Sequence, residues 1–319
     1  MSRTISIKKW VNSHIWVWSL LASVGIWLLI CIIKHGFRLE YLTSNIYLSC
    51  FLILMVFAQT IVITTGEGAI DLSIFNVVSL SPYLIQYLTI LTGSFAAGLL
   101  LTVMGCALIG MFNAAINYYM RVPAMIATLA TGYIVYSLTI VLSSKVGGIP
   151  YPLFKQIAVT GKFLGVHVRI WFMLAAAACM YFLLFRTKYG WNLHAIGQNR
   201  LAAKYSGINV FRTVLISFAL SSVIAGVSGL LLNGYLGLAG QDTGDPYMLP
   251  VLAATVIGGT NIDGGRASII GGIFAGIMWT MLNAILNVSG LNTSVKSLLQ
   301  GVALLIVLVA AIPRKQINK

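Results

Sequence analysis

Long apolar runs separated by short polar segments dominate the chain. Most runs approach or exceed the ~20 residues that a helix needs to cross a bilayer, and none alternates as a barrel strand would. The pattern predicts an all-α, polytopic membrane helical bundle of about ten transmembrane helices, in one domain covering residues 1–319. The predicted helices lie near residues 13–34, 46–65, 70–91, 94–119, 123–143, 170–186, 212–236, 247–260, 266–288 and 294–312.

Two of these runs are weaker than the others. The run at 70–91 follows a segment that holds Gly66, Glu67 and Gly68, and the run at 247–260 is short and precedes glycine-rich sequence. A bilayer tolerates irregular backbone only where protein or a water-filled cavity surrounds it. We therefore expect either segment to be broken or re-entrant.

Composition agrees with a membrane protein. Hydrophobic residues make up 59% of the chain and charged residues 8%, and the mean hydropathy is +0.94. The net charge of +14 comes from Lys and Arg that lie between the apolar runs. That placement is typical of membrane topology and argues against nucleic-acid binding. The four cysteines fall inside apolar runs, which predicts buried side chains without disulfide or metal-ligand roles.

The distribution of Lys and Arg predicts the orientation. Most of the 20 lysines and arginines fall on one side of the bilayer if the amino terminus lies in the cytoplasm. Both termini are then cytoplasmic. Residues 144–169 form an outer loop, and residues 187–211 form a basic cytoplasmic loop.

Polar residues inside the apolar runs are candidates for a translocation path. Glu67 and Asp71 are four residues apart, so they would share one face of a helix. A carboxylate inside the membrane normally faces a cavity or a partner, but a helix start at the interface would also suit Glu67. The predicted path residues are Asp71, Ser73, Asn76, Asn113 and Thr128. Helix-to-helix hydrogen bonding is the structural alternative for each.

The basic loop has the pattern of a short helix outside the membrane. It contains the pair Ala202–Ala203, and Gly207 is a natural helix terminator. Small residues would let another surface approach closely, which a solvated basic loop does not require.

Several kinds of chemistry are missing from the sequence. There is no phosphate-binding G-x-x-x-x-G-K-[ST] loop, no H-E-x-x-H or G-x-S-x-G motif and no Cys/His cluster. We expect no catalytic residue, no metal site and no cofactor in this chain.

Four segments together resemble the permease subunit of bacterial ATP-binding-cassette importers for monosaccharides, the ribose-permease-like family of binding-protein-dependent transport systems. The resemblance extends from about residue 45 to 312. The segments are TTGEGAIDLS at 64–73, RVPAMIATLATG at 121–132, YGWNLHAIGQNRLAAKYSGINVFR at 189–212 and VIGGTNIDGGRASIIGG at 256–272.

The resemblance implies an inner-membrane permease with partners. These are a second permease in a homodimer or heterodimer, two cytoplasmic ATPase subunits that bind the ATP, and a periplasmic or lipid-tethered solute-binding protein, within membrane lipid. It also implies a coupling helix that docks on the ATPase. The residues assigned to it are Asn199, Arg200, Ala202, Ala203, Ser206 and Gly207.

The solute is expected to be small and carbohydrate-like. The bulky residues Ile74, Phe75 and Asn76 depart from the family pattern and argue against a standard pentose or hexose. The block at 242–265 resembles importers of autoinducer 2, which leaves that solute and polyols open. Nucleoside and branched-chain amino-acid permeases are alternatives, and a stand-alone carrier or channel is an alternative of another class.

Overall fold

The computed structural model describes residues 16–288, 290, 292, 295–296 and 298–302. Helices account for almost all of its regular structure, which confirms the predicted helical bundle. They are α1 (Trp16–Ile33), α2 (Glu40–Thr64), α3 (Ile74–Thr92), α4 (Phe95–Tyr119), α5 (Ala124–Ser143), α6 (Pro152–Lys155), α7 (Val168–Arg186), α8 (Lys188–Gln198), α9 (Arg200–Tyr205), α10 (Val210–Leu236), α11 (Met248–Ile257) and α12 (Ile269–Val288).

Three minor elements complete the described part of the chain. A π-helical turn covers Gln156–Thr160, and a 3₁₀ turn covers Asp245–Tyr247. Strands β1 (Lys162–Phe163) and β2 (Val166–His167) pair in an antiparallel hairpin.

Eight of the described helices are long and apolar enough to span a membrane. The predicted span at 247–260 corresponds to α11, which has only 10 residues and continues the 3₁₀ turn before it. The tenth, at 294–312, lies mostly outside the described residues. The terminal charges that set the predicted orientation also lie outside them.

Helices α2 and α10 form the centre of the bundle. In α2, every residue from Ser49 to Thr64 is buried, and α10 packs against α2, α3 and α4. The outer helices instead expose large apolar side chains such as Leu100 and Leu108. Exposed apolar surface on this scale suits lipid as the surrounding solvent. The prediction that all four cysteines are buried is wrong for Cys179, which is exposed on α7.

Two irregular segments interrupt the spanning helices. The first covers residues 65–73, so α3 begins at Ile74 and not near residue 70. The predicted common helix face for Glu67 and Asp71 is therefore wrong. Positive φ angles at Gly66, Glu67 and Gly68 turn the backbone there, which a helix cannot accommodate. The second irregular segment covers residues 237–247.

The bundle has two distinct ends. We call the end that carries α8 and α9 the coupling end, and the end that carries residues 144–167 the loop end. At the loop end, the Tyr83 hydroxyl donates to the Ala239 carbonyl at 2.8 Å, and the Gly148 amide donates to Gln86 Oε1 at 2.9 Å. These bonds fix the loop-end half of α3 against both neighbouring loops.

Candidate functional site

A buried polar cluster holds the irregular segment 65–73. Asp71 Oδ1 accepts hydrogen bonds from the Ser73 amide at 2.9 Å and the Ser73 hydroxyl at 2.6 Å. Asn113 Nδ2 of α4 donates to Ser73 Oγ at 2.8 Å. All three side chains have 0% exposure. The segment is therefore anchored to α4 through side chains that water does not reach.

Two more side chains bond the backbone of the same segment. Thr128 of α5 accepts from the Leu72 amide at 3.0 Å and donates to the Ile70 carbonyl at 3.2 Å. The Gln59 carboxamide of α2 pairs with the amide and carbonyl of Asp71 at 3.2 and 3.1 Å. Buried backbone groups outside a helix need such partners. The cluster thus replaces the helical hydrogen bonds that segment 65–73 lacks.

Four of the five predicted path residues therefore meet, but inside the protein. Asp71, Ser73, Asn113 and Thr128 are fully buried, whereas Asn76 is half-buried on α3. Their role in lining a path stays a prediction. Asp71 Oδ2 and Asn113 Oδ1 have no hydrogen-bond partner among the described residues.

A second set of polar side chains lies on the surface, and the sequence reasoning missed most of it. Gln241 Nε2 donates to Ser143 Oγ at 2.8 Å near the loop end, and the Tyr136 hydroxyl lies near the Asp242 carboxylate. Farther from the loop end, the Asn76 side chain of α3 packs against Gly132 of α5. We call this set, together with Asp245, the polar stripe.

The two acids of the polar stripe lie well inside the length of α3. Gly244, between them in sequence, packs against the Phe75 carbonyl, and its amide donates to Ser79 Oγ at 2.9 Å. Phe75 lies eight residues, or about 12 Å, from Tyr83, which contacts the loop end. Asp242 and Asp245 are nevertheless exposed. A glycine- and proline-containing interruption between apolar runs was the signal in the sequence.

A glycine junction joins three segments at the coupling end. Gly197 of α8 lies against the Thr64 carbonyl and the Gly265 amide, and Gly264 lies against Gly66. The Gly265 amide also donates to the Thr64 carbonyl at 3.1 Å. A Cβ atom on Gly197, Gly264 or Gly66 would overlap neighbouring backbone. The junction therefore has no room for a side chain at these three positions.

The predicted short helix of the basic loop is present as α9. Asn199 caps it by accepting from the Ala202 amide at 2.9 Å, and the Ser206 hydroxyl donates to the Ala202 carbonyl at 3.0 Å. Ala203 is buried against the bundle, and Gly207 ends the helix with a φ of 82°. The role of these residues in docking an ATPase stays a prediction.

Helix α9 is also tied to segment 65–73 by charge. Arg200 forms an ion pair with Glu67, and its guanidinium lies 5.6 Å from the centre of the Tyr118 ring. Helix α9 also exposes the side chains of Leu201 and Tyr205, with 67% and 87% exposure. Next to α9, burial lowers the pKa of the His194 imidazole, so α8 carries no charge there at neutral pH.

Comparisons with known proteins agree with this architecture. The chain matches the family described as "Branched-chain amino acid transport system / permease component" over residues 41–308. No solved structure matches the chain significantly.

Among curated proteins, the chain is similar to the autoinducer 2 import system permease protein LsrD of several bacteria. It is 28% identical to that of Salmonella typhimurium over 268 residues, which cover 82% of this chain and 80% of the relative. It is 29% identical to that of Photorhabdus temperata over 269 residues, with the same two coverages. It is 29% identical to that of Escherichia coli O9:H4 over 280 residues, which cover 85% of each chain.

The family match covers most of the chain, including both irregular segments, the glycine junction and α9. The resemblance to sugar-type permeases noted in the sequence is confirmed. This chain belongs to the permease family of ATP-binding-cassette importers and is a multi-pass inner-membrane protein.

Proposed function

We propose that this permease moves autoinducer 2 or a chemically related small hydroxylated solute, using ATP hydrolysed by separate ATPase subunits. A second permease completes the path, and a solute-binding protein delivers the solute at the loop end. The coupling end faces the cytoplasm, since Arg186, Lys188 and Arg212 lie there. The named function of the relatives supports this solute class.

The glycine junction is the observation that carries the coupling proposal. It places α8 in direct backbone contact with residues 64–66, which lead into segment 65–73, and with residues 264–265, which follow α11. A displacement of α9 by a docked ATPase would reach both segments without passing through flexible side chains. Packed backbone of this kind switches between arrangements and does not deform continuously.

The polar stripe supplies the proposed path. Asp242 and Asp245 are exposed at membrane depth, and a carboxylate facing lipid is strongly disfavoured. We infer that they face water between two permeases, with Tyr136 and Asn76 on the same surface. The carboxylates can accept hydrogen bonds from the hydroxyl groups of a solute, and the phenol and the amide can both accept and donate them. A neutral hydroxylated solute suits such a surface.

Co-purification from native membranes tests the assembly. Tagged chain is extracted in mild detergent, and its partners are identified by mass spectrometry. The expected partners are an ATPase subunit with a phosphate-binding loop, a solute-binding protein and a second permease. Recovery of the chain without an ATPase would favour a stand-alone carrier or channel and would overturn the proposal.

A matched pair of variants locates the docking surface. Tyr205→Asp places a charge on the most exposed side of α9, and the ATPase should no longer co-purify. Leu164→Asp changes an apolar residue of similar exposure, at 77%, in the turn of the β1–β2 hairpin at the loop end, outside the spanning helices, and the ATPase should remain bound. Retention of the ATPase by both variants would exclude this face of α9 from docking.

A further inference from the structure

A cavity of about 600 Å³ opens at the coupling end, between the turn that precedes α5, helix α9 and the start of α10. Its lining contains three cations, Arg121, Arg200 and Lys204, and one acid, Glu67. Glu67 pairs with Arg200. The side chains of Arg121 and Lys204 have no hydrogen-bond or ion-pair partner among the described residues. The cavity therefore carries a net positive charge of two.

The walls of the cavity also orient its donors. Asn117 Nδ2 donates to the Val122 carbonyl at 3.0 Å and fixes the turn in which Arg121 has a φ of 55°. Pro123 and Ala124, at the start of the 20-residue helix α5, line the cavity, and no side chain caps that helix. The free amide groups and the helix dipole add positive potential next to the cations.

We propose that this cavity binds a phosphate-bearing anion through Arg121 and Lys204. A phosphate dianion matches the excess charge of two, and it offers several acceptor oxygens to the two side chains and the amides of α5. The volume is sufficient for a small phosphorylated metabolite. The position also suits the phosphodiester of an inner-leaflet lipid, which carries one negative charge and would neutralise half of the excess. Arg200 stands beside the same anion, so the anion competes with Glu67 for its guanidinium.

The binding test needs neither the ATPase nor a transported solute, so its outcome does not depend on whether the proposed function is correct. Only the cytoplasmic location of the cavity rests on the proposed function. Full-length chain is purified in neutral detergent, and thermal unfolding is followed with increasing inorganic phosphate against chloride at equal ionic strength. Wild type should show saturable stabilisation. Combined Arg121→Gln and Lys204→Gln should weaken phosphate binding about tenfold or more.

Arg212→Gln is the matched control, because Arg212 is an exposed cation at the same end that does not line the cavity. This variant should bind phosphate as wild type does. Equal phosphate binding by the control and the double variant would overturn the proposal, since binding would then reflect general positive charge.

A second arm distinguishes the source of the phosphate. The chain is reconstituted in vesicles of phosphatidylcholine with one quarter phosphatidylglycerol, re-extracted, and its retained lipid identified by mass spectrometry. Retention of phosphatidylglycerol by wild type but not by the double variant supports a lipid phosphate. Stabilisation by free phosphate without retained lipid supports a soluble anion. Neither effect in wild type would overturn the proposal.

Discussion

Gly197 of α8 lies directly against the carbonyl group of Thr64, the last residue of α2. That contact joins a helix outside the spanning bundle to the most buried helix inside it. The Thr64 carbonyl also accepts a hydrogen bond from the Gly265 amide. One carbonyl group therefore contacts both α8 and the segment that follows α11. In the proposed mechanism these parts move together during transport, and the close backbone contact would transmit the movement of one directly to the others.

Replacing Gly197 with Ala should therefore impair both packing and coupling. The new methyl group overlaps the Thr64 carbonyl and the backbone of Gly265, and overpacking of this kind destabilises a protein by about 1–3 kcal/mol. Uptake by cells and thermal unfolding of the purified chain are measured together. We expect a lower unfolding temperature and a loss of uptake.

Gly25→Ala is the control for this variant, since a Cβ on Gly25 of α1 meets no atom within 4 Å. It should leave both uptake and unfolding temperature unchanged or slightly raise the latter. An unchanged unfolding temperature in Gly197→Ala would show that the junction is looser than the contacts indicate.

Thr128→Val tests the polar cluster around segment 65–73. Valine matches threonine in shape but cannot accept from the Leu72 amide or donate to the Ile70 carbonyl. The amide is left buried and unpaired, so the free energy of unfolding should fall by about 1–3 kcal/mol. Chemical or thermal unfolding in detergent measures the change.

Thr139→Val on the same helix provides the comparison. Thr139 is equally buried, but its hydroxyl bonds only the Val135 carbonyl one turn before it, which the helix already satisfies. We expect little loss of stability. If both variants lose the same free energy of unfolding, the hydrogen bonds of Thr128 to segment 65–73 do not stabilise the protein more than an ordinary bond within a helix.

The spanning helices could be predicted from the sequence because lipid demands long apolar runs and satisfied backbone. The run at 94–119 becomes α4 at Phe95–Tyr119, and the run at 123–143 becomes α5 at Ala124–Ser143. The start of α3 could not be predicted, because the apolar residues Ala69, Ile70 and Leu72 would suit a helix and an irregular buried segment equally well. Only the side chains that replace helical bonds, such as Thr128 from a distant helix, decide it.

Site residues were harder to predict than helices. Asp71 and Asn113 read as polar groups at membrane depth, but their 0% exposure depends on packing that no local pattern encodes. Asp242 was passed over because its segment reads as a loop between runs. Its depth follows from the contact of Gly244 with Phe75, which is separated from it by most of the chain.

The ion pair between Glu67 and Arg200 should matter more for coupling than for stability. Glu67 is largely exposed, and exposed ion pairs stabilise proteins little. Charge reversal by Glu67→Arg alone should lower uptake about fivefold or more, because it repels Arg200 and detaches α9 from segment 65–73. The unfolding temperature should hardly change.

Combining Glu67→Arg with Arg200→Glu restores opposite charges and should return uptake to within about twofold of wild type, which is the signature of direct coupling between two residues. Glu40→Arg, which reverses an acid at the start of α2, is the control. Failure of the double variant to recover uptake while remaining in the membrane would show that the pair does not act as a unit.

Asp242→Asn tests the polar stripe. Asparagine keeps the size of the side chain but removes the negative charge that lies near the Tyr136 hydroxyl. If Asp242 lines the path, uptake should fall about tenfold, which corresponds to one charge-assisted hydrogen bond. ATPase co-purification and solute affinity of the separate binding protein should stay unchanged. Asp263→Asn, an exposed acid near the glycine junction and away from the stripe, should transport normally. Normal uptake by both variants would place the path on another face of the bundle, because a carboxylate that solute passes cannot be neutralised without effect on its hydroxyl contacts.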